Sequence, residues 1–385
     1  MRYFEFPAAA KHNRRGSMLF TAILISLLAI SSPAQTQEQS RDWEKKWQAT
    51  IQAAKNEGKL VYHSGNSSEP YFQEFQKKFP AIKATRIITH GGSAAHERLM
   101  AERRAGVYVA DTVHLGAGSG SLLANAGVLD PLEPYMILPE VLDQSKWFEG
   151  RHYFADKDRK YLFKYASNPG VDISYNTKLV NPDNIKSYWD ILDVKWKGKI
   201  VTYDPGARGS RLFSYFYYNP ELGPRYLRRL IGEMQLTASR DRRQITDWLA
   251  SGKFAIALRT APDASTLDEA KAQGLPVNWF SPGHFKETVG ISGGPAHIAV
   301  VNRAPHPNAA KLFINWFLSR EGQLMVQHIA AKQGDGVDSL RIDISKDMIP
   351  PGFRRTEKTK FFDMDAPEHA DDDPVLKLIN EVWKR

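Results

Sequence analysis

The residues best suited to chemistry are an arginine and a glycine-rich turn, each placed where an apolar run ends. Arg259 follows the run Phe254 to Leu258. A guanidinium at the carboxyl end of a buried strand offers a planar fork to a carboxylate or phosphate. The other reading of Arg259 is an ion pair with an acid of its own chain. The turn Asp204-Pro205-Gly206-Ala207-Arg208-Gly209-Ser210 separates the strand-like Gly198 to Tyr203 from an aromatic helix through Leu212, Phe213, Phe216 and Tyr217. Small residues at a strand-to-helix turn leave backbone N–H groups free for an anion. Gly206, Gly209 and Ser210 are such residues, and Arg208 adds charge among them; the plainer reading is a glycine turn capped by Ser210. Earlier apolar runs end near Ser64, Gly92, Ser93, Thr112 and His114. His114 alone reads as a packed or exposed histidine more readily than as a contact. The implied chemistry is non-covalent recognition of an anion.

Other signals point away from catalysis. Gly116-Ala117-Gly118-Ser119-Gly120-Ser121 lacks the final glycine of a dinucleotide loop. No phosphate-loop lysine motif, His-Glu-x-x-His or nucleophile elbow occurs, and no paired acid and base stands out. Tyr217-Tyr218 is the one adjacent tyrosine pair. Two phenolates hold ferric ion only if they converge on it, and an aromatic helix favours packing instead. The acidic tail (Asp363, Asp365, Glu368, His369, Asp371, Asp372 and Asp373) fits no calcium loop. It reads as a solvated run leading to a final helix capped by Asp373, with Pro374 in the first turn.

The ends and the composition bound the class. Lys11, Arg14 and Arg15 precede the apolar Met18 to Ile30, and Ser32-Pro33-Ala34 supplies small residues before Gln35. That layout predicts a signal peptide over residues 1–34, with a mature periplasmic chain beginning near Gln35. A membrane span needs about 20 apolar residues, more than this run has. Cysteine is absent, which excludes disulfides, thiolate metal sites and lipid attachment through a thiol. The 385 residues carry a formal charge of +9. Residues 1–34 hold four basic residues and one acid, leaving +6 on the mature chain. That balance suits an acidic ligand as well as plain solubility. The basic residues are scattered apart from short clusters such as Arg240-Asp241-Arg242-Arg243, which read as solvated surface. Without a basic stripe or a reading module, no nucleic-acid partner is expected.

Positioning these residues requires alternating helices and strands. Asp42 is placed to cap a helix with an apolar stripe of Trp43, Trp47, Ile51 and Ala54. Lys59 to His63, Ala84 to Thr89 and Val109 to Leu115 then read as strands separated by helices, a parallel arrangement with right-handed crossovers. A second alternating run follows Asn176, and a return crossing is expected around Ser281-Pro282-Gly283.

Several motifs together are similar to the class 1 extracellular solute-binding proteins, especially the ferric-ion-binding branch. They include Leu60-Val61-Tyr62 with Ser64, Ala110-Asp111-Thr112, Gly127-Val128-Leu129, and Ser174-Tyr175-Asn176. Trp189-Asp190-Ile191-Leu192, Trp196-Lys197-Gly198-Lys199-Ile200, and Ala309 to Phe313 running on to Gln323 complete the series. The resemblance implies an α/β, two-lobed type II periplasmic binding protein fold, with two parallel-mixed sheets joined by a hinge. It implies a small-molecule ligand in the cleft, an ABC transporter membrane permease as partner, and no enzymatic activity or cofactor. The expected divisions are 35–176 for the first lobe, 177–282 for the second and 283–333 for the return. Residues 334–385 are expected to form an extension packed on the first lobe. The ligand-binding set is Ser64, Gly92, Ser93, Thr112, Tyr175, Gly206, Arg208, Gly209, Ser210 and Arg259, around a small, organic anion in a monomeric protein. The family's iron-binding branch uses adjacent tyrosines just after the strand that here is Phe254 to Leu258, where this chain has Arg259-Thr260. A metal carrier and an exported enzyme on the same fold stay open as alternatives.

Overall fold

The runs Thr112–Leu115, Ile256–Leu258 and His297–Val301 are buried on both faces, which requires cover on both sides of each sheet. The computed structural model describes residues 33–64, 68–89, 92–170, 173–206, 211–258, 264–333, 336–355, 360–369 and 371–383. The chain divides into residues 1–42 and 43–385. The expected signal peptide lies outside the described residues as far as residue 32. Helix α1 spans Pro33–Glu57, so Asp42 lies inside a helix and does not cap one. Ala, Gln, Glu and Arg upstream of it favour helix and leave no stop there.

In the first lobe β1 (Lys59–Ser64), α2 (Glu69–Lys78), β2 (Lys83–Ile88), α3 (Gly92–Arg104), β3 (Thr112–Leu115) and α4 (Ala117–Asn125) follow in order. Then come β4 (Leu129–Asp130), α5 (Pro139–Leu142), β5 (Phe163–Lys164) and the crossing strand β6 (Asn168–Pro169). The second lobe contains β7 (Ile173–Asn176), β8 (Ile200–Tyr203), α6 (Arg211–Tyr218), α7 (Gly223–Glu233), β9 (Thr237–Ser239), α8 (Arg242–Ala250), β10 (Ile256–Leu258), α9 (Ala264–Ala272) and β11 (Val277–Trp279). The chain returns through β12 (Val289–Ser292) to β13 (His297–Val301), α10 (Pro307–Leu318) and α11 (Arg320–Lys332), and ends in β14 (Phe361–Asp363) and α12 (Asp373–Val382).

The first sheet has the order β2-β1-β3-β13-β4, with β5 also on β13. Strands β1, β2 and β3 are mutually parallel, and β13 runs against β3. The second sheet is β11-β7-β10-β8-β9, in which β8, β9 and β10 are parallel and β7 is antiparallel. Alternate residues feed opposite cores. On β13, Ile298 and Val300 join Phe72, Phe313 and Phe317 on one face, while Ala299 and Val301 join Leu99 and Val113 on the other. On β10, Ile256 and Leu258 meet Phe213 and Phe216, and Ala257 meets Ile245 and Leu249.

Three chain segments connect the lobes as a small sheet of their own, in the order β14-β12-β6. The expected boundary at 176 is corrected: Ile173–Asn176 is a strand of the second sheet, because it pairs with β10 and β11. The second lobe also runs past 282, since Phe285 is in its core and the Thr288 amide donates to Glu221 Oε2 at 2.6 Å. The C-terminal extension is divided between the lobes. Val337 and Leu340 pack on the first lobe, but Met364, Val375, Leu378 and Ile379 enter the second-lobe core. Val375, Leu378, Ile379 and Val382 form the apolar stripe of α12. A Cβ at Gly232 of α7 would lie 3.7 Å from Val382 Cβ, an ordinary contact distance that places the two helices side by side.

Three histidines in these cores make stability depend on pH. The His114 ring lies edge-on to Phe72, Tyr165, Phe313 and Phe317, and neither ring nitrogen has a hydrogen-bond partner. Burial lowers its pKa to about 3, and that of His63 and His297 to about 4. The unfolded chain takes up these protons near pH 6.5, which the native protein refuses. Stability is therefore complete above about pH 6.5 and is lost as pH falls towards 4, by up to about 1.4 kcal/mol per pH unit for each ring. His114→Phe should remove one such proton and flatten the acid limb of a urea-midpoint series between about pH 6 and 4. An unchanged slope would show that His114 does not contribute.

Candidate functional site

Each sheet turns the carboxyl ends of its parallel strands towards the crossing. In the first lobe, β13 begins just after β12, and its His297 pairs with Leu115 at the end of β3. In the second, β7 begins just after β6; its Ile173 pairs with Leu258, which pairs with Thr202 near the end of β8. The two edges consequently face each other across the hinge strands, at the position where open α/β sheets bind ligands.

On the first-lobe edge, Ser64 closes β1 and is fully buried, its carbonyl accepting from the Thr89 amide at 3.3 Å. Gly92 and Ser93 form the start of α3 beyond β2. Thr112 is not at this edge. It opens β3, pairs with Tyr62 and Val300, and is fully buried. The strand starts at Thr112, not Val109, so Thr112 lies in the body of the sheet; His114 is likewise enclosed by aromatic rings.

The second-lobe edge carries Asp204, Gly206 and Arg240. The Gly206 amide donates to Asp204 Oδ1 at 2.9 Å, an Asx-type turn that shapes the loop as it leaves β8. Arg240, directly after β9, donates from Nε to Asp204 Oδ2 at 2.8 Å, and its Nη2 lies 2.8 Å from the same oxygen. Arg208, Gly209, Ser210 and Arg259 lie outside the described residues. Tyr175 belongs to the core. It pairs with Ile256, lies against Phe280 with ring centroids 4.6 Å apart at 41°, and is buried. Because β7 runs against β10, each step along it leads away from the edge where Ile173 lies.

Sequence reasoning passed over Arg240 as solvated surface and the acidic tail as a charge run. Asp365 is 1% exposed. Its carboxylate accepts from the Gly293 amide at 2.6 Å and the Ser292 hydroxyl at 3.1 Å. Lys164 Nζ lies 3.7 Å away, His297 Nε2 3.9 Å and Arg211 Nη1 3.9 Å. Burial works to raise this carboxyl, but Lys164, His297 and Arg211 outweigh it and hold it below the usual carboxylate range. Lys164 also pairs with Asp363, and Arg211 with Asp372 at 3.3 Å. A charge run cannot be told from a buried network without knowing that Lys164 and Arg211 meet it.

The tyrosine pair on α6 does not converge. The rings of Tyr217 and Tyr218 are 5.0 Å apart at 76°, and the Tyr218 hydroxyl donates to the Asp371 carbonyl at 2.7 Å. Burial and the nearby Asp371 push the Tyr218 phenol up to about 12, against the phenolate form.

Residues 63–324 match the family of bacterial extracellular solute-binding proteins. The chain belongs to that family. No curated protein matches the sequence. Among solved structures, this solute-binding protein is similar to the iron- and citrate-bound Trichodesmium protein (IdiA, FutA), at 19% identity and a TM-score of 0.62, over 85% of this chain and 100% of that one. It is also similar to AfuA of Actinobacillus pleuropneumoniae with fructose-6-phosphate bound, at 20% identity and a TM-score of 0.56, over 84% and 97% of the two chains. The ferric binding protein of Campylobacter jejuni matches at 18% identity and a TM-score of 0.57, over 85% and 100%. These likenesses establish the two-lobed α/β fold of the solute-binding protein.

Proposed function

We propose that this solute-binding protein is exported to the periplasm, where it holds a small organic anion between its lobes and delivers it to the membrane permease of an ABC importer. The observation that carries this reading is the pair of facing carboxyl edges at a hinge of three strands. A mature charge of +6, Arg240 beside the second-lobe edge, and arginines at 208 and 259 that follow the β8 and β10 segments in sequence favour an anion over a cation. The solutes held by two similar structures, citrate with iron and fructose-6-phosphate, are of the carboxylate and phosphate kind. Ser64, Gly92 and Ser93 face the solute from the first lobe in this reading, and Gly206, Arg208, Gly209, Ser210 and Arg259 from the second. Ferric ion held by phenolates at Tyr217-Tyr218 is disfavoured, since the Tyr218 hydroxyl is already engaged.

Native mass spectrometry of the purified protein should reveal a bound organic acid or phosphate ester by its mass. Small-angle scattering should then show a smaller radius of gyration with that solute, because only a closed form contacts it from both lobes. A radius unchanged at saturation would count against the clamp.

A further inference from the structure

The hinge contains a buried carboxylate with a cation on each side, Lys164 and Arg211. Lys164 stands on β5 in the first sheet, next to the neutral His297 of β13. Ser292 and Gly293, which donate to Asp365, lie on and just beyond the crossing strand β12. Arg211 opens α6 in the second lobe and also donates to the Met364 carbonyl at 2.8 Å. The same arginine reaches the first lobe: a Cβ at Gly118, in the first turn of α4, would lie 4.0 Å from Arg211 Nη2. Asp365 follows the third hinge strand, and its amide donates to Asp363 Oδ1 at 3.0 Å, which ties its position to the Lys164 pair.

A fixed salt bridge within one lobe would move as a unit when the lobes rotate. This one cannot. Any rotation about β6, β12 and β14 changes the separation of Arg211 from Lys164 and His297, and Asp365 lies between them. In surroundings of low dielectric such a change is costly, because the carboxylate loses one partner without gaining water. We infer that Asp365 is a positioning residue for solute capture: its carboxylate, shared by Lys164 of one lobe and Arg211 of the other, sets how far the lobes close. It touches no solute and acts through the hinge. The inference rests on the clamp reading proposed above.

The chain has no cysteine, so one label per lobe is easily placed, at Lys77→Cys on α2 and Lys195→Cys in the second lobe. Spin-label distance measurements on the solute-free protein read the interlobe populations directly. Asp365→Asn leaves Arg211 and Lys164 facing each other without the shared anion, so the longer-distance population should rise roughly 2- to 30-fold relative to the shorter. Arg211→Gln, which keeps the Lys164–Asp365 pair and is the gentler change for folding, should shift populations the same way. Arg211→Lys should recover most of the wild-type distribution. A role confined to stability predicts lower melting temperatures with unmoved distances, and that result overturns the inference. Adding citrate or fructose-6-phosphate to the labelled wild type tests the clamp separately: distances moved by neither count against the clamp for these anions, whatever the variants do.

Discussion

Arg341→Ala should lower the melting temperature by about 4 °C, the largest stability effect expected of a single side chain outside the aromatic cores. Arg341 is fully buried in the first lobe, its guanidinium 5.5 Å from the Trp147 ring centre. Nε and Nη2 donate to the two oxygens of Asp343 at 2.9 and 2.7 Å. Nη1 donates to the carbonyls of Glu140 and Leu318, each at 3.1 Å, and Nη2 reaches Glu140 Oε2 at 3.2 Å. Leu318 ends α10, so the cation also answers the negative end of a helix dipole. Alanine would leave two carbonyls unmatched and a cavity under Trp147. Glu140 and Asp343 keep some solvent, which places the cost at about 3 kcal/mol, the low end for a broken buried pair. Arg341→Lys should restore only part of it, because an ammonium cannot serve a bidentate carboxylate and two carbonyls at once. A melting temperature within about 1 °C of wild type for Arg341→Ala, an interval worth less than about 1 kcal/mol, would refute the assignment.

How far this architecture can be read from sequence varies by region. The strands at Lys59, Ala84 and Val109 were legible because short runs carrying Val, Ile, Thr and Tyr stand between glycine, proline and polar breaks. The strand ends were therefore legible too, and Ser64 and Gly206 stand on the facing edges. Thr112 was misplaced by an error in strand position, since β3 starts at Thr112 and its carboxyl end is Leu115. Tyr175 was misplaced by direction: local sequence does not reveal that β7 is antiparallel to its neighbours, and this decides which of its ends meets the cleft. The third hinge strand was invisible for a different reason. Phe361–Asp363 becomes a strand by pairing with β12, about seventy residues earlier in the chain, and Asp365 is buried by partners from three separate segments. Charge patterning records only neighbours along the chain, so an acidic run with distant cationic partners looks the same as a solvated one.

Arg259→Ala should weaken binding of the co-purified anion at least about thirtyfold, the effect of losing about 2–5 kcal/mol when a charge-assisted, bidentate contact in a closed cleft is removed. Arg259 directly follows Leu258, the β10 residue paired with Thr202 near the end of β8 and with Ile173 at the hinge entry. No other described strand end of the second lobe is so close in register to both the glycine turn and the crossing. Arg240 provides an internal comparison. Its guanidinium is already committed to Asp204, and its side chain is 77% exposed, so solvent and salt screen what it offers a ligand. Arg240→Ala should therefore cost less affinity than Arg259→Ala, and what it does cost should come through the loosened Asp204–Gly206 turn. Arg259→Lys should recover part of the loss, because a point charge steers the anion but cannot match its two oxygens. If Arg259 instead pairs with an acid of its own chain, the order reverses: the alanine variant melts lower and binds normally. Calorimetric titration of the three variants beside their melting curves separates the two roles, since a residue that meets only the ligand leaves the stability of the solute-free protein unchanged.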